Sequence, residues 1–356
     1  MADSTEPMED KAPAISIITP VYNPGGLFPS CLASLESQSV FDQVEVVLVN
    51  DGSTDGSDEL CDRFAAKHPN VRVLHQVNQG QAAARNRAIE AASGDYVLLV
   101  DSDDAITADA CEKLLLAAKG ANADMVWGDY TNRSLFRGPV AELAARGTVD
   151  MWRSMRCALE SGLFMITPCV QLVRLQFLKD NGIVFDEGRI FEDQLWLMRL
   201  LLCGATVLRV DVPFYTYHIG DHPSSTTRIT PKRLMDAVDV IYAMIAEIER
   251  YRPPDDVRAV AEAYVANCIA ILSRTFICHA PKRFQDLVRL RLDEKYAYYA
   301  AQTQLLPQDA RTIGPAFVND PDLFEKELAR IRAARKANDA TGAKPSGENG
   351  DAASDP

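Results

Sequence analysis

SGDYVLLVDSDDAIT, residues 93–107, opens on a turn and runs through an apolar strand from Asp95 to Val100. It ends with Asp101, Asp103 and Asp104 inside four positions. Two such carboxylates about 5 Å apart repel by ~3 kcal/mol at an effective dielectric near 20. Crowding of this kind asks for a cation. It also marks a strand tip at which ligands are handled, because open α/β sheets bind them beyond the carboxyl ends of their strands.

Outward from this stretch the same alternation repeats. Strand-like runs at 14–18, 44–49, 71–75 and 124–127 are separated by helical spacing over 27–39, 57–68, 81–92 and 108–119. Strands apolar on both faces, alternating with helices, define an α/β fold with a mostly parallel sheet and helices on both faces. Further on, 149–161 and 192–203 read as helices and 206–218 as one or two strands. From about 230 to 334 the composition is helical, interrupted at Pro253-Pro254. The expected division is a leader at 1–12, an α/β domain at 13–228, a C-terminal α-helical region at 229–335 and a polar tail at 336–356. Leader and tail are too polar to bury a core.

The chain has 356 residues, 47% of them hydrophobic, which is ample for a core, and a formal charge of −13 that argues against nucleic acid as a partner. Its eight cysteines form no Cys-x-x-Cys pair, so a zinc site or disulfide framework is not expected; buried thiols in a reducing cytoplasm are. No run reaches the roughly 18 apolar residues of a membrane span.

Three strand ends carry polar residues at one expected edge: Thr19-Pro20-Val21-Tyr22-Asn23, Asn50-Asp51-Gly52-Ser53-Thr54-Asp55, and Asp101-Ser102-Asp103-Asp104. One polar end is explained by helix capping, but three together point to a site. Hard oxygen ligands suit Mg²⁺ or Mn²⁺, which join one or two carboxylates to substrate phosphates. The implied cation is therefore a divalent metal on a diphosphate. No G-x-G-x-x-G follows the first strand and no G-x-x-x-x-G-K-[ST] occurs, which weakens a dehydrogenase or P-loop reading.

ISIITPVYN, VVLVNDGSTDGS, NQGQAAARNRAI, SGDYVLLVDSDD and FEDQLWLMRL, in this order, resemble the inverting family 2 glycosyltransferases of the GT-A fold. The resemblance implies a nucleotide-sugar donor, most simply a UDP-sugar, and a saccharide or lipid-linked acceptor in cell-surface polysaccharide synthesis. It puts Pro20, Tyr22 and Asn23 beside the nucleobase, Asp51 on uracil, Gly80 and Arg85 beside the nucleotide, and Asp101 on the ribose. Asp103 is given to Mn²⁺ or Mg²⁺. Asp104 is either a second metal contact or a structural acid. Asp193 becomes the general base, with Glu192 orienting it or the acceptor, and the dipole of the helix they open favours the ionised form. His218 falls where a basic residue contacts the diphosphate or metal, and 223–228 is a candidate lid. Trp196 reads as core rather than as an acceptor platform.

Two rivals remain at this point. A sugar-phosphate nucleotidylyltransferase wants a cationic Gly-rich loop after the first strand, which TPVYNPGG lacks. A non-catalytic nucleotide-sugar-binding subunit has no need of Asp193. Residues 265–277 are apolar and amphipathic and are expected to pack on the first domain. Peripheral attachment to the inner membrane face through Lys282-Arg283 and Arg289–Leu292 is the weaker alternative, because Asp286, Asp293 and Glu294 dilute the patch.

Overall fold

The computed structural model describes residues 12–341 except 133, 135, 165 and 219–228. The lid expected at 223–228, nearly all of the leader and the tail beyond 341 lie outside these residues.

The first half alternates as the sequence predicts: β1 (Ile15–Val21), α1 (Phe28–Glu36), β2 (Val44–Asn50), α2 (Ser57–Lys67), β3 (Val71–His75), α3 (Gln81–Ala91) and β4 (Tyr96–Leu99). β1 and β2 are buried along their whole length, as strands covered on both faces must be. β1 pairs parallel with β2 and β4, and β2 pairs parallel with β3. This register brings Val21, Asn50 and Val100 to one edge, each followed by polar residues. Gly94 lets β4 start beside β1, since a Cβ there would sit 2.7 Å from the Ser16 backbone nitrogen.

Next come β5 (Ala105–Ile106), α4 (Ala110–Ala121), β6 (Met125–Tyr130), α5 (Gly138–Ala144), β7 (Val149–Asp150), α6 (Met151–Glu160), β8 (Gln171–Arg174), α7 (Leu175–Asp180), α8 (Glu192–Leu202) and β9 (Thr206–Thr216). Among the described residues the sheet order is β3-β2-β1-β4-β8-β6-β9-β5, with β7 beside β9. β8 is antiparallel to both β4 and β6, and β5 and β7 are antiparallel to β9. The sheet is thus mixed rather than mostly parallel. β8 joins the parallel strands β3-β2-β1-β4 to the parallel pair β6 and β9.

Helices α9 (Pro231–Tyr251), α10 (Asp255–Ile271), α11 (Lys282–Arg289), α12 (Glu294–Ala300), α13 (Ile313–Asn319) and α14 (Pro321–Thr341) complete the fold. α9 and α10 pack against α8, and one contiguous apolar core runs from β1 to α14. The stretch 255–279 is long and apolar enough to cross a membrane, but 72% of its most apolar window is buried in this core. That is the packing expected for 265–277. α14 runs past residue 336, where the tail was expected to begin, because its Ala, Arg and Lys residues favour helix.

Candidate active site

The edge formed by β1, β2 and β4 is built by its loops. Asn23, at φ +48°, accepts from the Thr54 amide at 2.8 Å and its own amide donates to Ser53, which joins the first two strand ends. Tyr22 is 54% exposed there, a flat apolar ring facing solvent at a strand tip. Asp55 accepts from the Gly25 and Ser57 amides, so it is turn and cap chemistry. Asp51 is buried, and its carboxylate accepts from Gln76 Nε2 and from the Gln79 and Gly80 amides at 2.8–2.9 Å. Its oxygens therefore hold the 76–80 loop in place, a role the uracil assignment had not included. Gly80 has φ +90° and ψ 164°, open to glycine alone, and a Cβ would meet no atom within 4 Å. The need at Gly80 is conformational: this backbone turns the amide onto Asp51.

The three acids after β4 have separate surroundings. Asp101 Oδ1 accepts from Arg85 Nη2 at 2.7 Å and Gln81 Nε2 at 2.9 Å, and the Cys169 thiol lies 3.5 Å from Oδ2. Asp104 is buried; Oδ2 accepts from the Tyr215 hydroxyl at 2.7 Å and Oδ1 from the His218 amide at 2.9 Å. Burial, then the charge of Asp101, push its carboxyl up to about 7. Of the two roles left open for Asp104, its contacts are those of a structural acid. Asp103 is exposed. His218 Nδ1 is buried, makes no hydrogen bond and lies 3.9 Å from Asp104 Oδ1.

These side chains fit a metal that arrives with a substrate. Among the described residues no three His, Cys, Asp or Glu side chains gather to hold an ion by themselves. Yet Asp103 offers an exposed carboxylate one residue from Asp104, and the His218 ring nitrogen that lies 3.9 Å from Asp104 makes no hydrogen bond; oxygen and imidazole donors of this kind suit an ion that also takes phosphate oxygens. Asp103 and His218 are the residues that would hold it.

Glu192 and Asp193 open α8, as the sequence predicts, after Phe191 at φ +70° and ψ 26°. A left-handed aromatic residue is a strained one. It is kept there with its ring edge-on to Phe276, in the π-type turn Leu272–Phe276 that follows α10. Asp193 accepts from the Gln194 amide at 2.9 Å, and Tyr264 of α10 donates to the Gln194 carbonyl. Burial and then the adjacent Glu192 raise the Asp193 carboxyl to about 7, against the lowering effect of Arg85. The helix dipole was expected to favour its ionised form; desolvation outweighs it.

The two halves meet at one side chain. Arg85 is 3% exposed and bridges Asp101 to Glu192, with Nη1 2.9 Å from Glu192 Oε1. Burial works against its charge, but its carboxylate partners overcompensate and its pKa is raised. Arg85 was expected beside donor phosphate; here its charge is committed to two acids of the protein. Trp196 is buried and stacked on Phe185 at 4.2 Å, a core residue as expected. Tyr215, which also accepts from the Asp101 amide, was missed. Only the alternation of β9, which turns Phe214 and Tyr215 to opposite faces, hinted at it.

A mixed sheet with three polar strand ends, joined through Arg85 to the acid pair that opens α8, defines the class as an α/β transferase of the GT-A fold. The profile of the family described as glycosyl transferase family 2 matches residues 16–180. Glycosyltransferase GlyG of Streptococcus pneumoniae is 30% identical over 65% of this chain and 80% of its own length. The crystal structure of S. aureus TarS 1-349 in complex with UDP-GlcNAc superposes with a TM-score of 0.66 at 21% identity, covering 90% of this chain and 92% of that one. Mannosyltransferase PcManGT from Pyrobaculum calidifontis, in complex with GDP-Man and Mn²⁺, gives 0.54 at 16% identity, covering 90% and 88%. The chain belongs to glycosyltransferase family 2 and is a glycosyltransferase. The nucleotidylyltransferase and non-catalytic alternatives fall with that membership.

Proposed function

We propose that the protein transfers a sugar, with inversion, from a UDP-sugar to a saccharide or lipid-linked acceptor in cell-surface polysaccharide synthesis. Supporting this is the convergence, through Arg85, of the acid at the end of β4 with the acid pair at the start of α8. The solved neighbours carry UDP-GlcNAc and GDP-Man, which supports a nucleotide-sugar donor.

In this reading the exposed Tyr22 ring, flanked by Pro20 and Asn23, stacks on the nucleobase. Asp51 and Gly80 shape the loop that faces it, and Asp101 receives the ribose. Asp193 takes the proton of the acceptor hydroxyl as it attacks the anomeric carbon, through a transition state with oxocarbenium character. Glu192 orients Asp193. Asp103 and His218 would hold a divalent cation, which would supply charge neutralisation on the leaving diphosphate. Residues 13–228 form the transferase domain, and 229–335 the helical region that backs its base. The eight free cysteines support a cytoplasmic location, with the acceptor at the inner membrane face.

The test is release of nucleotide from UDP-, GDP- and dTDP-sugars with Mn²⁺, with and without EDTA and acceptor. Acceptor-dependent UDP release lost with EDTA supports the proposal. Turnover untouched by EDTA removes the metal, and full release without acceptor makes the protein a hydrolase.

A further inference from the structure

We propose that Arg85 is a positioning residue for the base: it clamps the first turn of α8 to the donor acid instead of binding the donor itself. This rests on the assignment of Asp193 as base.

α3 presents Gln81 and Arg85 one turn apart, and both donate to the same oxygen of Asp101. That is the i,i+4 spacing of one helix face. The second arm of the guanidinium, Nη1, reaches Glu192, 107 positions away in sequence. Its Nε is buried without a partner. Both Nη atoms thus donate to a protein carboxylate, Nε is enclosed, and with the side chain 3% exposed little of the guanidinium is open to a phosphate. The guanidinium also lies 5.2 Å from the Phe185 ring centroid, and that ring is stacked on Trp196 of α8. Asn86, the next residue of α3, accepts from the Phe185 amide at 2.7 Å and donates to its carbonyl at 3.0 Å. α3 therefore grips α8 twice, through the ion pair at Glu192 and through Phe185 at Trp196. The start of α8 is thus tied to α3 by an ion pair and by the packed loop residue Phe185.

Charge gives the clamp a second effect. The groups facing Asp193 are Glu192 on its own helix, Arg85 from α3, and Tyr264 and Cys268 from α10. Among these Arg85 alone is positive. Without it Glu192 and Asp193 are adjacent anions in a desolvated turn, and a proton is retained there to higher pH.

The experiment uses the full chain with Arg85→Gln, Arg85→Lys and Arg85→Gln/Glu192→Gln. UDP affinity is measured by calorimetry and the pH dependence of kcat by nucleotide release. For Arg85→Gln, UDP affinity should stay within about threefold, because Gln81 still holds Asp101. kcat should fall by roughly 10²-fold, as for a displaced catalytic group, and its acid limb should move up by about 1 pH unit. Arg85→Lys should recover part of kcat, since an ammonium reaches one carboxylate and not both. Adding Glu192→Gln should return the limb toward wild type by removing the uncompensated anion. If Arg85→Gln fails to fold, the lysine and double variants carry the same readouts. UDP binding weakened tenfold or more with an unmoved acid limb would overturn the proposal and return Arg85 to the donor. A fall in kcat with an unmoved limb and no change in the double variant would leave only a structural role, and also overturns it. Asp193→Asn separates the two readings. Full activity in that variant sinks the base assignment, whereas an inactive Asp193→Asn beside an unmoved limb in Arg85→Gln sinks the clamp alone.

Discussion

Tyr215→Phe removes one oxygen and nothing else, so its effect can be worked from the contacts of that atom. The side chain is 1% exposed. Its hydroxyl donates to Asp104 Oδ2 at 2.7 Å and accepts from the Asp101 amide at 3.2 Å. Phenylalanine fills the same space, and no cavity term arises. A hydrogen bond to a charged group contributes about 1.5–3 kcal/mol and one to a neutral amide about 0.5–1.5, so the expected loss is about 2–4 kcal/mol. Unfolding entropy near 2.1 cal/mol/K per residue over 356 residues gives about 0.75 kcal/mol/K, and Tm should drop by about 3–5 °C. UDP affinity should fall as well, because the amide released is that of Asp101. Tyr217→Phe is the control: with 42% of that residue exposed, a surface change should cost under about 0.5 kcal/mol. The measurement is calorimetric melting beside UDP titration. Equal Tm values for Tyr215→Phe and Tyr217→Phe would refute the idea that this hydroxyl joins Asp101 to Asp104.

Asp193→Asn should hold UDP while transfer falls by ~10²-fold or more, read by isotope transfer and calorimetry. Because burial and Glu192 raise Asp193 to about 7, the ionised base accumulates as pH rises, and kcat should climb through neutrality to a plateau. The same raised pKa means the folded state binds more protons than the unfolded one between the ordinary Asp range and about 7. Stability therefore falls as pH rises across that window, and Asp193→Asn should melt higher than wild type at pH 8. Asp103→Asn should weaken Mn²⁺-dependent UDP binding by roughly tenfold, with little change in binding measured in EDTA; equal losses in both would deny Asp103 the metal. Gly80→Ala finds space for its methyl but not for its backbone, so a loss of about 1–3 kcal/mol in a denaturant melt is expected, with weaker UDP binding as the 76–80 loop leaves Asp51.

The parallel half of the fold was legible because β1, β2 and β4 are long apolar runs whose tips change abruptly to polar residues. β8 was not. Gln171–Arg174 is four residues long, next to a helix, and a run so short has no period to distinguish it. Missing it hid the antiparallel wedge and made the sheet look more uniform than it is. Asp103 and the Glu192-Asp193 pair were legible as motif positions. The partners of Asp101 were only half so: Gln81 and Arg85 lie on one helical face, but the link from Arg85 to Glu192 spans 107 positions and has no local signature. The dipole argument at Asp193 failed for a general reason. A helix end gives at most a couple of kcal/mol and less when screened, whereas burial acts on the whole charge.

The carboxylate crowding at residues 101–104 is divided by the fold into two problems with different solutions. Asp101 and Glu192 are bridged by one buried arginine, which serves as the cation the crowding demanded. Asp104 and Asp193 sit on either side of that ion triad, and both are raised to about 7, each by burial first and a neighbouring carboxylate second. One arginine is too little charge for four acids. A nucleoside diphosphate is itself an anion, so its approach to this edge adds to the deficit. In the proposed reading a donor that binds here would bring positive charge with it, in an ion shared between its phosphates and the exposed Asp103. The demand for a metal in this reading thus follows from the arrangement of charge across the site, of which the Asp101-x-Asp103 spacing is one part.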